Sequence, residues 1–144
     1  MDNLINLYQK RLDLKASSSS RIDHDDAMVA VVYKVTLPNG TEFILKICSR
    51  TNDYLREIYF LKHFAGNLPV QRIINVVPPE SDLHGAILME YLPGRLLKMA
   101  DFTDELAYEM GSLLARIHLN RATGYGDLIQ PEALKSDPLF HFTL

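Results

Sequence analysis

Two residues of opposite charge stand in segments that are otherwise apolar. Lys46 lies in the middle of "TEFILKICS", a run typical of a half-buried strand, and Glu57 lies in "YLREIYFL". Helical spacing places Glu57 beside Leu61 and Phe64. A carboxylate among apolar side chains loses solvation and needs a cation or several hydrogen-bond donors to stay charged. We therefore expect Lys46 to pair with Glu57 at a functional site. The alternatives are an ion pair with a purely structural role, or two side chains that reach the surface without contact.

A lysine held by a carboxylate presents a fixed ammonium group, which suits a small anionic ligand. Side chains alternate along a strand, so Lys46 shares its strand face with Ile44 and Cys48. One face of this strand is thus predicted to carry the functional site.

A β-hairpin is the strand pair predicted to position Lys46. Residues 29–37 and 42–48 have strand-like patterns and are joined by the turn signal Pro38-Asn39-Gly40-Thr41. A helix over 53–65 follows, with Thr51 or Asn52 as its N-cap. This order places Glu57 on the element directly after the strand of Lys46.

The remaining pattern predicts an α+β fold. A short amphipathic helix precedes the serine run 17–20, which is interpreted as a break between elements. The segments "QRIINVVPP" and "GAILMEYLPG" are predicted strands, and an amphipathic helix covers 103–120. An antiparallel sheet with one packed helix, followed by a helical region after Gly94, fits this order.

Composition excludes several functional classes. The 144 residues carry a net charge of -3 at a pI of about 5.9, so no strong cationic field favours nucleic acid or an anionic membrane surface. Cys48 is the single cysteine, which excludes an intrachain disulfide and favours a reducing compartment. No apolar run approaches the roughly 20 residues that a membrane-spanning helix needs. A cytoplasmic location is expected.

With "FILKI", "YLREIYFL" and "ILMEYLPG" in this order, the sequence resembles the aminoglycoside phosphotransferase and choline kinase-like branch of the protein-kinase-like fold. The resemblance covers residues 17–128. It implies that residues 1–92 form a nucleotide-binding small lobe, and that 93–144 form the hinge and the beginning of a helical substrate lobe. It also implies ATP or GTP with Mg as cofactor and the hydroxyl of a small molecule, such as an aminoglycoside, as acceptor.

The resemblance also assigns nucleotide-binding roles. Lys46 would orient the phosphates and Glu57 would hold Lys46, with Ile44 on the same strand. The segment "ILMEYLPG" would be the hinge, in which Met89 lies beside the adenine pocket. The Glu90 carbonyl and the Leu92 amide would bind the adenine edge.

Two departures from the family pattern bear on activity. The loop expected to cover the phosphates, "RIDHDDAMVAV", has no glycine and carries three aspartates, so weak or absent nucleotide binding is expected. The cluster Asp23-His24-Asp25-Asp26 is interpreted as a solvated hairpin tip, with a divalent-cation site as the alternative. No His-Gly-Asp stretch occurs, and the one Gly-Asp, Gly126-Asp127, has no asparagine after it. No catalytic or metal-binding residue is therefore assigned.

Two functional hypotheses remain. In the first, the chain is the N-terminal part of a phosphotransferase, inactive by itself, whether as a fragment or as a truncated relative. In the second, it is a non-catalytic, pseudokinase-like interaction module. Because most of a large lobe would be missing, apolar surface on the helical residues 103–119 is expected to be uncovered, which suggests self-association.

Overall fold

The computed structural model describes residues 3–23 and 29–136, and the chain divides into two compact units. Unit 1 comprises Met1–Ala65 and Pro69–Leu92, and unit 2 comprises Gly66–Leu68 and Pro93–Leu144. The acidic cluster that begins at Asp23 lies, from His24 onward, outside the described residues. The two hypotheses about that cluster therefore stay predictions.

Unit 1 is built on an antiparallel five-stranded sheet with the strand order β1-β2-β3-β5-β4. Its elements are α1 (Asn3–Arg11), β1 (Ser18–Ile22), β2 (Ala30–Thr36), β3 (Glu42–Cys48), α2 (Thr51–Phe64), β4 (Ile73–Val77) and β5 (Gly85–Glu90). The α+β prediction is confirmed, as are the β2–β3 hairpin and the two later strands.

The turn between β2 and β3 sets the register of the hairpin that carries Lys46. Gly40 has a φ of 87°, a conformation that costs glycine little, and its amide donates to the Leu37 carbonyl at 2.9 Å. Asn39 Oδ1 accepts a hydrogen bond from the Thr41 amide at 2.9 Å. The resulting register places Val32 opposite Lys46.

Strand β1 corrects the prediction that the serine run is a break between elements. Ser18–Ile22 pairs with β2 over its whole length, from Ser18 opposite Thr36 to Ile22 opposite Val32. All five side chains are exposed, so no hydrophobic alternation marks this strand in the sequence. Backbone hydrogen bonds to β2 and an edge position explain why a serine-rich segment is extended here.

The two faces of the sheet are covered by different helices. The back face packs against α1 and the turn after it through a buried apolar cluster that includes Ile5, Tyr8, Leu12, Val35 and Leu45. The front face packs against α2 through a second cluster formed by Cys48, Tyr54, Ile87 and Met89. Each apolar face is thus removed from water by one helix, as expected for a two-sided sheet.

Helix α2 begins earlier than predicted. It starts at Thr51, and its N-cap is Arg50, which makes no side-chain capping hydrogen bond. The prediction that Thr51 or Asn52 caps the helix is therefore wrong. Tyr54 is 5% exposed and packs this end of the helix against the sheet. The first residue of α2 is therefore set by packing rather than by a capping side chain.

Unit 2 contains a 3-10 turn (Met99–Asp101), α3 (Asp104–His118) and a second 3-10 turn (Pro131–Ala133). The side chain of Thr103 caps α3 by accepting a hydrogen bond from the Leu106 amide at 3.1 Å. Asp101 forms two 2.6 Å contacts with the Arg95 guanidinium, and this pairing holds the pKa of the Asp101 carboxyl below its ordinary value. No helix within the described residues combines the length and hydropathy needed to cross a bilayer.

Candidate functional site

The candidate site lies on the front face of the sheet, defined here as the face that carries Lys46. Register places Lys46 between Val32 on β2 and Ile87 on β5, and it places Ile44 between Lys34 and Met89. Because side chains alternate, both of these cross-strand rows project on the same side of the sheet. The row of Ile44 lies nearer the end of β5, and the row of Lys46 lies one step farther from it.

Lys46 and Glu57 form a direct ion pair. Lys46 Nζ donates a hydrogen bond to Glu57 Oε2 at 2.6 Å, and the two side chains are 26% and 30% exposed. A charge-assisted hydrogen bond of this length in a partly desolvated place orients the ammonium group. The contact predicted from the sequence is therefore present, and one side of the lysine remains open to solvent.

The position of Glu57 depends on how α2 sits on the sheet. The Tyr54 ring lies directly over Gly85, the first residue of β5; a Cβ at that glycine would stand 2.6 Å from Tyr54 Cδ2. Ile58 and Leu61 pack on the same apolar cluster as Tyr54. This close approach brings Glu57, one turn along the helix from Tyr54, within reach of Lys46.

A cavity of about 350 Å³ opens beside the ion pair. The charged residues that line it are Lys46, Asp53, Arg56 and Glu57, and its apolar lining includes Phe60 and Leu61. Two cations and two carboxylates line a cavity whose walls are otherwise mainly apolar, so the lining is balanced in formal charge. A space of this size next to a fixed ammonium group has room for phosphate groups.

Cys48 also lines this cavity, at the end of β3. Its side chain is only 2% exposed, and burial raises the pKa of the thiol above its ordinary value of 9.0. The thiol is therefore protonated at neutral pH and behaves as a small apolar side chain.

The predicted hinge residues, Met89, Glu90 and Leu92, differ from one another in exposure and in hydrogen bonding. Met89 is 2% exposed and packs in the front-face cluster, whereas Leu92 is 51% exposed. The Glu90 carbonyl accepts a hydrogen bond from Gln71 Nε2 at 3.2 Å, and the Glu90 carboxylate accepts one from the Arg72 amide at 2.9 Å. A carbonyl oxygen has two lone pairs, so the Gln71 contact leaves one acceptor position on Glu90.

Sequence reasoning missed two apolar residues of the front face. Ile22 on β1 stands opposite Val32 on β2, in the same row as Lys46, and Ile22 is 44% exposed. Val32 is half-buried and lies directly beside Lys46, and Ile22 lies one strand farther from it. The alternation of Val32 with buried Tyr33 and Val35 was the available signal for β2, whereas Ile22 belongs to β1, the strand that the sequence pattern did not reveal.

The metal expected from the resemblance has no assigned place. Within residues 3–23 and 29–136, no group of three or more His, Cys, Asp or Glu side chains is close enough to hold a metal ion. No metal ligand is assigned on this ground, and we derive no chemistry through a metal ion. The cations that line the cavity are Lys46 and Arg56, and Lys46 is held by Glu57.

A comparison with models of protein families shows to which family this chain belongs. A family model described as "Phosphotransferase enzyme family" (APH) matches residues 26–139. The chain belongs to this family. The resemblance to aminoglycoside phosphotransferases is confirmed at the level of the family, whereas the residue roles and the acceptor are not tested by it. A search of curated protein sequences finds no match.

The family match spans both units of this phosphotransferase-family chain, and in unit 2 it includes α3. Large apolar residues of α3 are exposed, among them Tyr108 at 78% and Leu114 at 53%. Exposed apolar residues on an amphipathic helix are what a surface that self-associates would show. Self-association itself stays a prediction.

Proposed function

We propose that unit 1 is the nucleotide-binding part of a phosphotransferase that acts on the hydroxyl of a small molecule. The observation that supports this proposal most directly is the 2.6 Å contact between Lys46 and Glu57 beside a cavity of about 350 Å³. The phosphates of ATP or GTP would contact the Lys46 ammonium. Membership of the phosphotransferase family supports this proposal, and the aminoglycoside-like acceptor rests on the family resemblance alone.

The base of the nucleotide belongs, in this proposal, on the row of Ile44 and next to the end of β5. This row lies beside Glu90, whose carbonyl oxygen has a second lone pair besides the one that accepts from Gln71, and Leu92 follows with an exposed side chain. Phosphate and base would thus occupy neighbouring rows of one sheet face. The two rows are two residues apart along each strand, which is about 7 Å at about 3.4 Å per residue, so a nucleotide is long enough to bridge both rows.

Binding to this chain is expected to be weak, with a Kd of about 1 mM, which corresponds to about -4 kcal/mol. One lysine supplies the phosphate contact, and the described residues bring together no metal-binding cluster. The test is an NMR titration of the 144-residue chain with ATP, because this method measures millimolar binding. Shifts confined to residues near Lys46 and Leu92 support the proposal; an unchanged spectrum contradicts it.

A charge-matched control makes this titration specific. Lys46→Met should weaken ATP binding, whereas Lys62→Met, at an exposed position in the last turn of α2, should leave it unchanged. Equal losses in both variants would mean that the nucleotide responds only to net charge. Transfer of phosphate to an added aminoglycoside by these 144 residues should not exceed background, since the sequence offers no His-Gly-Asp stretch.

A further inference from the structure

A second lysine lies on the front face, close to the segment that follows β5. Lys34 Nζ stands 4.3 Å from the centre of the Tyr91 ring and 2.6 Å from Glu42 Oε1. The Lys34 side chain is 30% exposed and the Glu42 side chain is 35% exposed. The three residues come from β2, β3 and the residue directly after β5, so one side-chain cluster joins three segments of unit 1.

The placement of this cluster relates it to the proposed base site. Lys34 stands opposite Ile44, and Ile44 stands opposite Met89, so Lys34 belongs to the same cross-strand row as the proposed base contacts. Tyr91 lies between Glu90 and Leu92, whose backbone groups are the proposed hydrogen-bond partners of the base. A contact that fixes Tyr91 therefore acts on both of its neighbours.

Strand pairing fixes one end of this short segment. The Glu90 amide donates to the Arg72 carbonyl at 3.0 Å, which extends the β4–β5 ladder to Glu90. Tyr91 and Leu92 lie beyond the last residue of β5 and have no regular secondary structure. The Lys34 contact with the Tyr91 ring supplies a side-chain restraint where the ladder has ended.

The charge on Lys34 is secure. The hydrogen bond with Glu42 raises the pKa of the Lys34 ammonium above its ordinary value, so the group is a cation throughout the neutral range. A cation over the face of a tyrosine ring is attracted by the quadrupole of the ring. Glu42 also contacts the ammonium group, so Lys34 is held by both a carboxylate and an aromatic ring.

We propose that Lys34 is a positioning residue for the nucleotide base: by holding the Tyr91 ring, it fixes the backbone of residues 90–92 in the conformation that binds a purine edge. This inference rests on the proposed function. Lys34 contacts neither base nor phosphate in this arrangement. Its effect should therefore appear for ligands that contain a base and be absent for ligands that contain only phosphates.

The experiment compares ATP with inorganic triphosphate, both titrated into the 144-residue chain and followed by NMR, with the Lys46 amide as the reporter for both ligands and the Leu92 amide as the reporter for the base of ATP. Lys34→Met should raise the Kd for ATP roughly two- to fivefold, the ratio that corresponds to a cation–π contact of about 0.5–1 kcal/mol. The Kd for triphosphate should stay unchanged. Lys34→Arg keeps a cation over the ring and should restore ATP binding.

Two further variants separate positioning from other effects. Lys10→Met removes an exposed charge on α1, which packs against the back face, and it should change neither Kd. Tyr91→Leu should weaken ATP as Lys34→Met does, and the double variant should be no weaker than either single variant. That non-additivity is expected when two residues act through one contact.

The outcomes are distinguishable. If the wild-type chain binds neither ATP nor triphosphate, the proposed function fails and this inference fails with it. If the wild-type chain binds ATP, but Lys34→Met weakens triphosphate equally or leaves ATP binding unchanged, the positioning role is wrong while the proposed function stands. Selective loss of ATP binding, restored by Lys34→Arg, supports the inference.

Discussion

Lys46 Nζ lies 2.6 Å from Glu57 Oε2, across the gap between β3 and α2. Each side chain is roughly three-quarters buried, so neither charge is fully hydrated when its partner is removed. This single contact connects the sheet to the helix and orients the ammonium group that the proposed site offers to phosphate.

The first prediction concerns the stability that this pair provides. Lys46→Met and Glu57→Gln should each destabilise the fold, and the double variant should lose less than the sum of the two. We expect a coupling of about 1–2 kcal/mol, between the values typical of exposed ion pairs and of hydrogen bonds to charged groups. Urea denaturation followed by circular dichroism measures the cycle. Additivity within about 0.3–0.5 kcal/mol would contradict the contact.

The second prediction separates the roles of the two residues in binding. Lys46→Met should weaken ATP more than Glu57→Gln does, by about tenfold or about 1.4 kcal/mol, because the lysine contacts phosphate and the glutamate only holds the lysine. NMR titration gives both dissociation constants. An equal or larger loss in Glu57→Gln would show that the carboxylate itself takes part in binding.

The third prediction tests how α2 is seated. Gly85→Ala would place a Cβ 2.6 Å from Tyr54 Cδ2, so the ring and the helix must shift. We expect a destabilisation of about 1–3 kcal/mol, measured by urea denaturation, and a weaker Lys46–Glu57 coupling. Gly111→Ala is the matched control: a Cβ on that α3 glycine meets no atom within 4 Å, and helix propensity should stabilise α3 by about 0.5–1 kcal/mol. Equal stability of Gly85→Ala and wild type would mean that Tyr54 is not held over β5.

The fourth prediction is a pH dependence that arises from Cys48. Burial raises the pKa of its thiol in the folded chain, so above pH 9.0 the unfolded state binds fewer protons than the folded state. Stability from this group is therefore fully present below pH 9.0 and is lost as the pH rises toward the folded pKa. The stability advantage of wild type over Cys48→Ala should shrink between pH 8 and pH 10. A constant difference across that range would show that the thiol ionises equally in both states.

The fifth prediction concerns unit 2. Thr103→Ala removes the hydroxyl oxygen that accepts a hydrogen bond from the Leu106 amide at 3.1 Å. This substitution should lower the stability of α3 by about 1 kcal/mol. Thr103→Ser keeps the hydroxyl and serves as the control. Hydrogen exchange of the first-turn amides of α3 measures the difference, and unchanged protection in Thr103→Ala would mean that the cap contributes nothing.

The elements that the sequence predicted correctly are those with strong local signals. The β2–β3 hairpin has a turn that only a few residue types favour, and β5 is a short apolar run closed by Pro93-Gly94. Strand β1 was missed because its five residues are exposed and carry no alternation. The N-terminus of α2 was misplaced because packing of Tyr54, rather than a capping side chain, sets it.

The sequence by itself determined that Lys46 and Glu57 needed each other, because a charge in an apolar segment must find a partner and the order of strand and helix supplied one. It could not determine which side chains share a cross-strand row, since register depends on pairing between distant segments. Only the tertiary structure brought Lys34 onto Tyr91, 57 residues along the chain, and Gln71 onto the Glu90 carbonyl. The first contact requires β3 and β5 to lie side by side, and the second requires β4 and β5 to do so; both relationships are set by burial of the whole sheet rather than by any local pattern.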